Sequence, residues 1–214
     1  MIYFILCIAI SDLTFGCTKN IFLNARVDSC NKAVLITGCD TGFGHLLAKQ
    51  LDSKGFHVFA ACLFPSGEGA MELKKSCSQS LHVLHMDVTK DDSVKEAAEF
   101  VKRNLGALEF WAVVNNAGIT KGFSAELAHL NDFKNCLEVN TLGIIRVVKA
   151  FLPLLKQSKG RIVNVTSFGG VVTFPYFTPY TTSKYAAVGF TNALRQELNI
   201  WGIKVISVEP EMFK

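Results

Sequence analysis

Val34-Leu35-Ile36-Thr37-Gly38-Cys39-Asp40-Thr41-Gly42-Phe43-Gly44 is the stretch whose reading decides the fold. Lys32 to Ile36 is an apolar run rich in β-branched residues and reads as a buried strand. The glycines break it. From His45 to Leu51 apolar residues return at helical spacing, so a helix begins near Gly42. A strand, a glycine turn and a helix start together leave room for a pyrophosphate. Gly38 allows the tight turn, and a side chain at Gly42 or Gly44 would block close approach of the phosphates or of the strand. The helix start adds free N–H groups and the positive end of its dipole. Taken alone, the same pattern also fits an ordinary turn between strand and helix, so the rest of the chain has to decide.

Outward from this stretch, strands and helices alternate. His57 to Ala61 reads as the second strand and Glu68 to Ser76 as a short helix. Leu81 to Met86 is the third strand, and Asp91 to Leu105 a helix opened by Asp91-Asp92-Ser93 as acidic caps. Phe110 to Val114 is the fourth strand. A long helix follows from Asn131 to Lys156. Arg161 to Val165 is the fifth strand, Tyr180 to Trp201 a helix, and Ile203 to Val208 the sixth strand. This alternation predicts an α/β fold: a Rossmann-like, doubly wound parallel sheet of six strands in a three-layer αβα arrangement.

Composition narrows the function classes. Half of the 214 residues are hydrophobic and 17 are Phe, enough for one domain with a real core. The formal net charge is +4 with the lysines scattered, so no nucleic-acid surface is expected. Seven cysteines, an odd number without a Cys-x2-Cys pair, argue against a disulfide framework and against a metal site. Cys30, Cys39 and Cys62 fall nearest the glycine stretch. Ile2 to Ile10 is an apolar run, too short for a bilayer that needs about 20 residues. We read residues 1–17 as an apolar targeting or membrane-contacting segment, with a loosely packed arm as the alternative. Residues 18–31 form a linker, and 32–214 the sheet domain.

Ligands bind at the carboxyl ends of the strands in such sheets. Asp87 closes the third strand, followed by Val88; its carboxylate could accept from an adenine amino group or simply hold a turn. Asn115-Asn116-Ala117-Gly118 closes the fourth. Small residues there let a nucleotide lie against the backbone while the amides tie neighbouring strands. Ser167 stands just beyond the fifth strand. Tyr180 and Lys184, four residues apart, share a helix face. A phenol titrates near pH 10 and is a poor proton donor or acceptor at neutral pH, unless a nearby ammonium favours its anion. Asn140, in the middle of the long helix, disfavours a regular helix and needs partners. Phe168, Phe174, Tyr176 and Phe177 lie between Ser167 and Tyr180; they read equally as an apolar substrate wall or as packing under a loop or against a second subunit.

Thr37-Gly38-x3-Gly42-x-Gly44, Asp87, Asn115-Asn116-Ala117-Gly118, Asn140, Ser167 and Tyr180-x3-Lys184 together resemble the short-chain dehydrogenase/reductase family, over roughly Lys32 to Phe213. The wording of Ile36 to Gly44, of Val58 to Leu63 and of Gly160 to Val165 is similar to the branch that holds retinol dehydrogenases, 17β-hydroxysteroid dehydrogenases and 3-hydroxybutyrate dehydrogenase. The resemblance implies an oxidoreductase that interconverts an alcohol with its ketone or aldehyde. Tyr180 is then the acid/base, Lys184 binds the nicotinamide ribose and tunes Tyr180, Ser167 orients the carbonyl, and Asn140 holds a water in a proton relay. Thr37, Gly38, Asp40, Thr41, Gly42, Phe43, Gly44, Cys62, Asp87, Val88, Asn115, Ala117, Gly118 and Pro210, with Tyr180 and Lys184, would bind the cofactor. Cys62 and Leu63 at the end of the second strand are uncharged and the glycine loop has no basic residue, which leans towards NAD, with NADP the alternative.

The resemblance also implies a small apolar alcohol or ketone such as a retinoid or steroid, held by Ser167 and the four aromatic residues. It implies association with the endoplasmic reticulum membrane (mitochondrial or cytoplasmic placement being the alternatives) and a homodimer or tetramer. Two departures stand out. Pro210-Glu211 replaces the usual Pro-Gly after the sixth strand, and set beside the family the 32–214 domain is expected to lack the usual C-terminal substrate lobe. Two further readings therefore stay open: a nucleotide-binding or dimerising protein without turnover, and an enzyme for a small hydroxy acid.

Overall fold

The structure, a computed structural model, describes residues 27–211. Among them, β1 (Lys32–Thr37), β2 (His57–Cys62), β3 (Leu81–His85), β4 (Glu109–Asn115), β5 (Arg161–Val165) and β6 (Lys204–Val208) form a six-stranded sheet of order β3-β2-β1-β4-β5-β6. Every pairing is parallel. Parallel neighbours need crossovers, and helices supply them: α1 (Gly42–Ser53), α2 (Glu68–Ser76), α3 (Asp91–Leu105), α4 (Leu130–Leu137), α5 (Gly143–Ser158) and α6 (Thr178–Leu198).

Both faces of the sheet are covered, so the strands are apolar on both sides. On one face Val34, Ile36, Val58 and Ala60 pack with Ala48 and Leu51 of α1 and with Leu73 of α2. On the other, Leu35, Phe59, Val113 and Ile162 pack with Val94 and Val101 of α3, Val147 and Phe151 of α5, and Ala187 and Leu194 of α6. The expected doubly wound αβα architecture is therefore what the chain adopts. Strand order reverses between β1 and β4. The glycine loop follows β1, at that switch point, where a crevice opens at the carboxyl ends of the strands.

Three local expectations change. The helix expected over Asn131–Lys156 is two helices, α4 and α5, joined by a π-helical turn, Glu138–Leu142. Its centre is Asn140, whose side chain is fully buried. The acidic residues opening α3 are not its cap. Lys90 is the N-cap residue, Asp91 and Asp92 lie in the first turn, and the Ser93 hydroxyl accepts from the Asp87 N–H at 2.9 Å. The last helix ends at Leu198 and tightens into a 3-10 turn, Asn199–Trp201, before Gly202 takes a left-handed conformation. Residues 1–17 and most of 18–31 lie outside the described residues, and among those described no helix is long and apolar enough to cross a membrane.

Candidate active site

The glycine loop is held open from below. The Thr37 hydroxyl, at the end of β1, accepts from the Asn116 and Ala117 N–H groups, both at 3.0 Å. The Asn116 amide donates back to the Thr37 and Gly38 carbonyls at 2.9 and 3.1 Å. These bonds clip β1 to β4 beneath the loop. Gly38 has φ +69°, and a Cβ there would stand 2.8 Å from the Ala117 Cα, too close to be accommodated. A Cβ on Gly44 would strike the Gly38 carbonyl oxygen and the Asn116 amide. Gly42, at φ +64°, faces open space. Thr41, the N-cap of α1, makes no side-chain cap bond at this helix start. This is a cradle of the shape and polarity that a pyrophosphate fits.

Cys62 ends β2, at the position expected from the sequence. Cys62 is wholly buried in the core, and burial pushes its thiol up to about 12. The charged side chain beside the strand end is that of Asp40, reaching across from the glycine loop. Its carboxylate accepts from the Leu63 and Phe64 N–H groups at 2.9 and 2.8 Å. Cys39 is also buried, its thiol donating to the Ile36 carbonyl at 3.2 Å. Cys30 lies before β1, at the opposite end of the sheet from the loop, so it is not near the cradle as expected.

Asp87 holds its own turn: one carboxylate oxygen accepts from the Thr89 N–H and hydroxyl at 2.9 and 2.7 Å. The other oxygen takes no partner among the described residues. Val88 turns into the core, where Gly143 packs directly on it, so only its backbone can face a nucleotide. Asn115 likewise spends its amide inside the sheet, on the Asn164 side chain at 2.8 Å. Asn116, absent from the cofactor-binding set that the resemblance implies, is the one of the pair that lines the crevice.

Beyond the cradle the crevice widens into a cleft of about 770 Å³. Ser167, Tyr180 and Lys184 all line it. Gly169 sits between the first two: a methyl built there would be 3.4 Å from Ser167 Oγ and 3.5 Å from Tyr180 Cε1. The Ser167 hydroxyl accepts from the Gly169 N–H at 3.0 Å, which leaves its own proton free to donate. Lys184 Nζ stands 5.6 Å from the Tyr180 ring centroid and donates to the Val165 carbonyl at 3.1 Å. Burial lowers its ammonium to about 8, against a weaker opposite pull from Cys136.

Asn140 is tied to this group through the π turn. Its side-chain oxygen accepts from the Ile119 N–H at 2.8 Å, and its amide donates to the Ile119 carbonyl and the Ser183 hydroxyl, both at 2.9 Å. A Cβ on Gly118 would lie 3.3 Å from Asn140 Oδ1 and 3.7 Å from Lys184 Nζ. Three of the four residues carried over from the family pattern, Ser167, Tyr180 and Lys184, thus line one cleft, and Asn140 is buried, joined to the cleft through Ile119. Of the aromatic residues, Phe168, Phe174 and Phe177 line it, and Phe168 and Phe174 pack with ring centroids 6.0 Å apart. Tyr176, in a left-handed conformation at φ +68° and 69% exposed, is not among the lining residues. Pro210 and Glu211 close the far side, and the Pro210 carbonyl accepts from the Phe168 N–H at 2.9 Å.

A glycine cradle at the switch point of a doubly wound sheet, opening into a cleft with a tyrosine–lysine pair, defines a dinucleotide-binding protein of the Rossmann type. The chain belongs to the short-chain dehydrogenase family, whose pattern matches residues 32–214. Among curated relatives it is 48% identical over 184 residues to estradiol 17-beta-dehydrogenase 2 of Mus musculus, covering 86% of this chain and 48% of that protein. It is 44% identical to retinol dehydrogenase 16 of Mus musculus, covering 86% of this chain and 57% of that one. The chain therefore spans about half the length of the curated relatives it matches. Among solved structures it matches the 3-ketoacyl-(acyl-carrier-protein) reductase of Brucella melitensis complexed with NADH, at 28% identity and a TM-score of 0.78, over 84% of this chain and 75% of that one.

Proposed function

We propose that the chain carries the catalytic centre of an NAD-linked alcohol dehydrogenase acting on an apolar primary or secondary alcohol of the steroid or retinoid kind. The observation that carries this reading is the gathering of Ser167, Tyr180 and Lys184 on one cleft that opens from the glycine cradle. A nicotinamide ring bound there would take up or deliver the hydride. The protein's own residues handle the proton and the geometry. Ser167 donates to the substrate oxygen and holds it beside the Tyr180 phenol, which passes or receives the proton. Lys184 brings a positive charge next to the ring where negative charge develops. Asn140 keeps the strand-four loop and α6 in register behind them.

Asp40 supports the choice of NAD. A carboxylate fixed at the end of β2 can accept from a ribose hydroxyl and repels a phosphate at the same place. The cleft lining holds Lys184 as its one cation among the described residues, which leaves nothing spare to pair a carboxylate of a small hydroxy acid. One observation favours a second reading, nucleotide binding without turnover: Glu211, an acidic residue, lines the cleft beside Pro210. Membrane association and pairing of copies belong to the first reading too, and flotation with microsomal vesicles and the mass of the particle in solution test them.

The deciding experiment titrates the chain with NADH and NADPH by calorimetry, then follows NAD reduction with steroid alcohols and retinol, with Tyr180→Phe as control. Tighter NADH binding and turnover that the control lacks support the proposal. Binding without turnover supports the second reading. A folded chain that binds neither nucleotide overturns both.

A further inference from the structure

His45 lies in the first turn of α1 and is 8% exposed. Both of its ring nitrogens face oxygens. Nδ1 stands 3.2 Å from the Cys39 carbonyl oxygen in the glycine loop, and Nε2 stands 3.2 Å from a Glu72 carboxylate oxygen on α2. A carbonyl and an ionised carboxylate can only accept. A neutral imidazole carries one N–H and serves one of them, while its bare nitrogen faces the other. Only the imidazolium donates to both. Glu72 is held in its ionised form: Lys49, one turn along α1, donates to its other oxygen at 2.6 Å. That bond first, then the charges of Lys49 and His45, keep the Glu72 carboxyl below its ordinary value. The other ionisable groups nearby are the Cys39 and Cys62 thiols, kept protonated by burial, Cys77 at the end of α2, and Asp40. The ring joins parts that shape the cradle. At Gly69, α2 rests on the glycine loop: a Cβ there would strike the Asp40 carbonyl oxygen and lie 3.5 Å from His45 Nδ1. The Asp40 carboxylate in turn holds the Leu63 and Phe64 N–H groups.

We propose that His45 is a positioning residue that makes nucleotide affinity fall with rising pH: as the imidazolium it ties the Cys39–Asp40 stretch of the glycine loop to α2, and on losing its proton it releases one of the two. The inference rests on the reading of the cradle as a nucleotide site. Nucleotide binds the loop that is held in place, and so favours the charged ring. Affinity is therefore higher in acid and falls as the pH rises through the range in which imidazoles change charge, about 5 to 8. The apparent affinity drops with the fraction of chains whose loop is held. Water has little access to a ring this buried, so the lost charge-assisted bond makes that drop about tenfold.

The test measures NADH affinity by calorimetry across that pH range, for the full chain and for Glu72→Gln. In the variant the amide keeps an oxygen for Lys49 and offers an N–H to His45 Nε2, so a neutral ring with its proton on Nδ1 satisfies both partners. The parent should lose affinity about tenfold, in step with the His45 titration followed by nitrogen-15 spectra of the ring. Glu72→Gln should hold the parent's acid-side affinity throughout. Lys184, which gives up its proton near pH 8, is the same in both chains and cancels in the comparison. A flat profile in the parent, a fall shared by Glu72→Gln, or a variant weaker at every pH overturns the inference and leaves the dehydrogenase reading standing. A chain that binds no nucleotide sinks that reading instead. The tie is then judged from the amide signals of Leu63 and Phe64, which move with the His45 titration if it holds and stay still if it does not.

Discussion

Burying the Lys184 ammonium costs free energy that the unfolded chain does not bear, because its pKa falls from the ordinary 10.5 to about 8. Each unit is worth about 1.4 kcal/mol, so the penalty at neutral pH is about 3 kcal/mol. The sign follows from proton counting. Below pH 8 both states are charged and the full penalty is present. Between about 8 and 10.5 the folded state gives up its proton first, so stability rises with pH until the penalty is gone. Lys184→Met should therefore raise Tm by several degrees at pH 7 while abolishing turnover. The gain should shrink as the pH approaches 10, read by calorimetric scans across pH. A lower Tm at pH 7 would mean that the bond to the Val165 carbonyl outweighs desolvation. Asp40 gives a second expectation. Asp40→Asn removes a negative charge at the end of β2 and should shift the ratio of NADPH to NADH affinity about tenfold towards NADPH. An unchanged ratio would place the ribose elsewhere. Lys184 and Tyr180 were legible in the sequence because four residues make one helix face. Asp40 was legible as part of the loop, but its reach to Leu63 and Phe64 joins positions 23 and 24 apart, and no local pattern announces such a contact.

Among the elements, the π turn does the most positioning. Apolar periodicity runs through Phe133, Leu137, Ile144 and Val147 without a visible break, so a continuous helix is the natural reading of that stretch. Only the buried amide of Asn140 signalled otherwise. Its partners are the two ends of one peptide residue, Ile119, and Ser183 of α6. Truncation leaves these buried groups short of partners at about 1–3 kcal/mol each. Asn140→Ala should lower the stability by about 3 kcal/mol, seen as a fall in the denaturation midpoint with an unchanged slope. A small loss would mean that water replaces the amide. Where the local code is strong, sequence and structure coincide residue for residue, as in α2, α3 and β5. Those elements are bounded by Gly, Asp or turn residues. The ends of α6 are not, because its last turn tightens gradually before Gly202.

At the scale of the whole molecule, the chain is written in two blocks that the sheet keeps apart. Everything before β4 forms one half, β3-β2-β1 with the glycine loop and Asp40; everything from β4 onward forms the other, with Asn140, Ser167, Tyr180 and Lys184. The halves meet along the β1–β4 ladder, the Thr37 clip and the packing of Val94 and Val101 of α3 with Val147 and Phe151 of α5, with Arg146 reaching across to Asp91 at 2.7 Å and to the Val88 carbonyl at 3.3 Å. Such a boundary is a natural crossover point for recombination. A graft of residues 32–108 from an NADP-using member of the family, with Thr37, Val88 and Asp91 retained, should fold and exchange the nucleotide preference while the choice of alcohol stays with the recipient. Steady-state assays with both nucleotides and one fixed alcohol would show it, and a graft that changed the ranking of alcohols would refute it. Cofactor and substrate are then separately heritable traits, and a lineage could retune its redox direction without relearning what it oxidises.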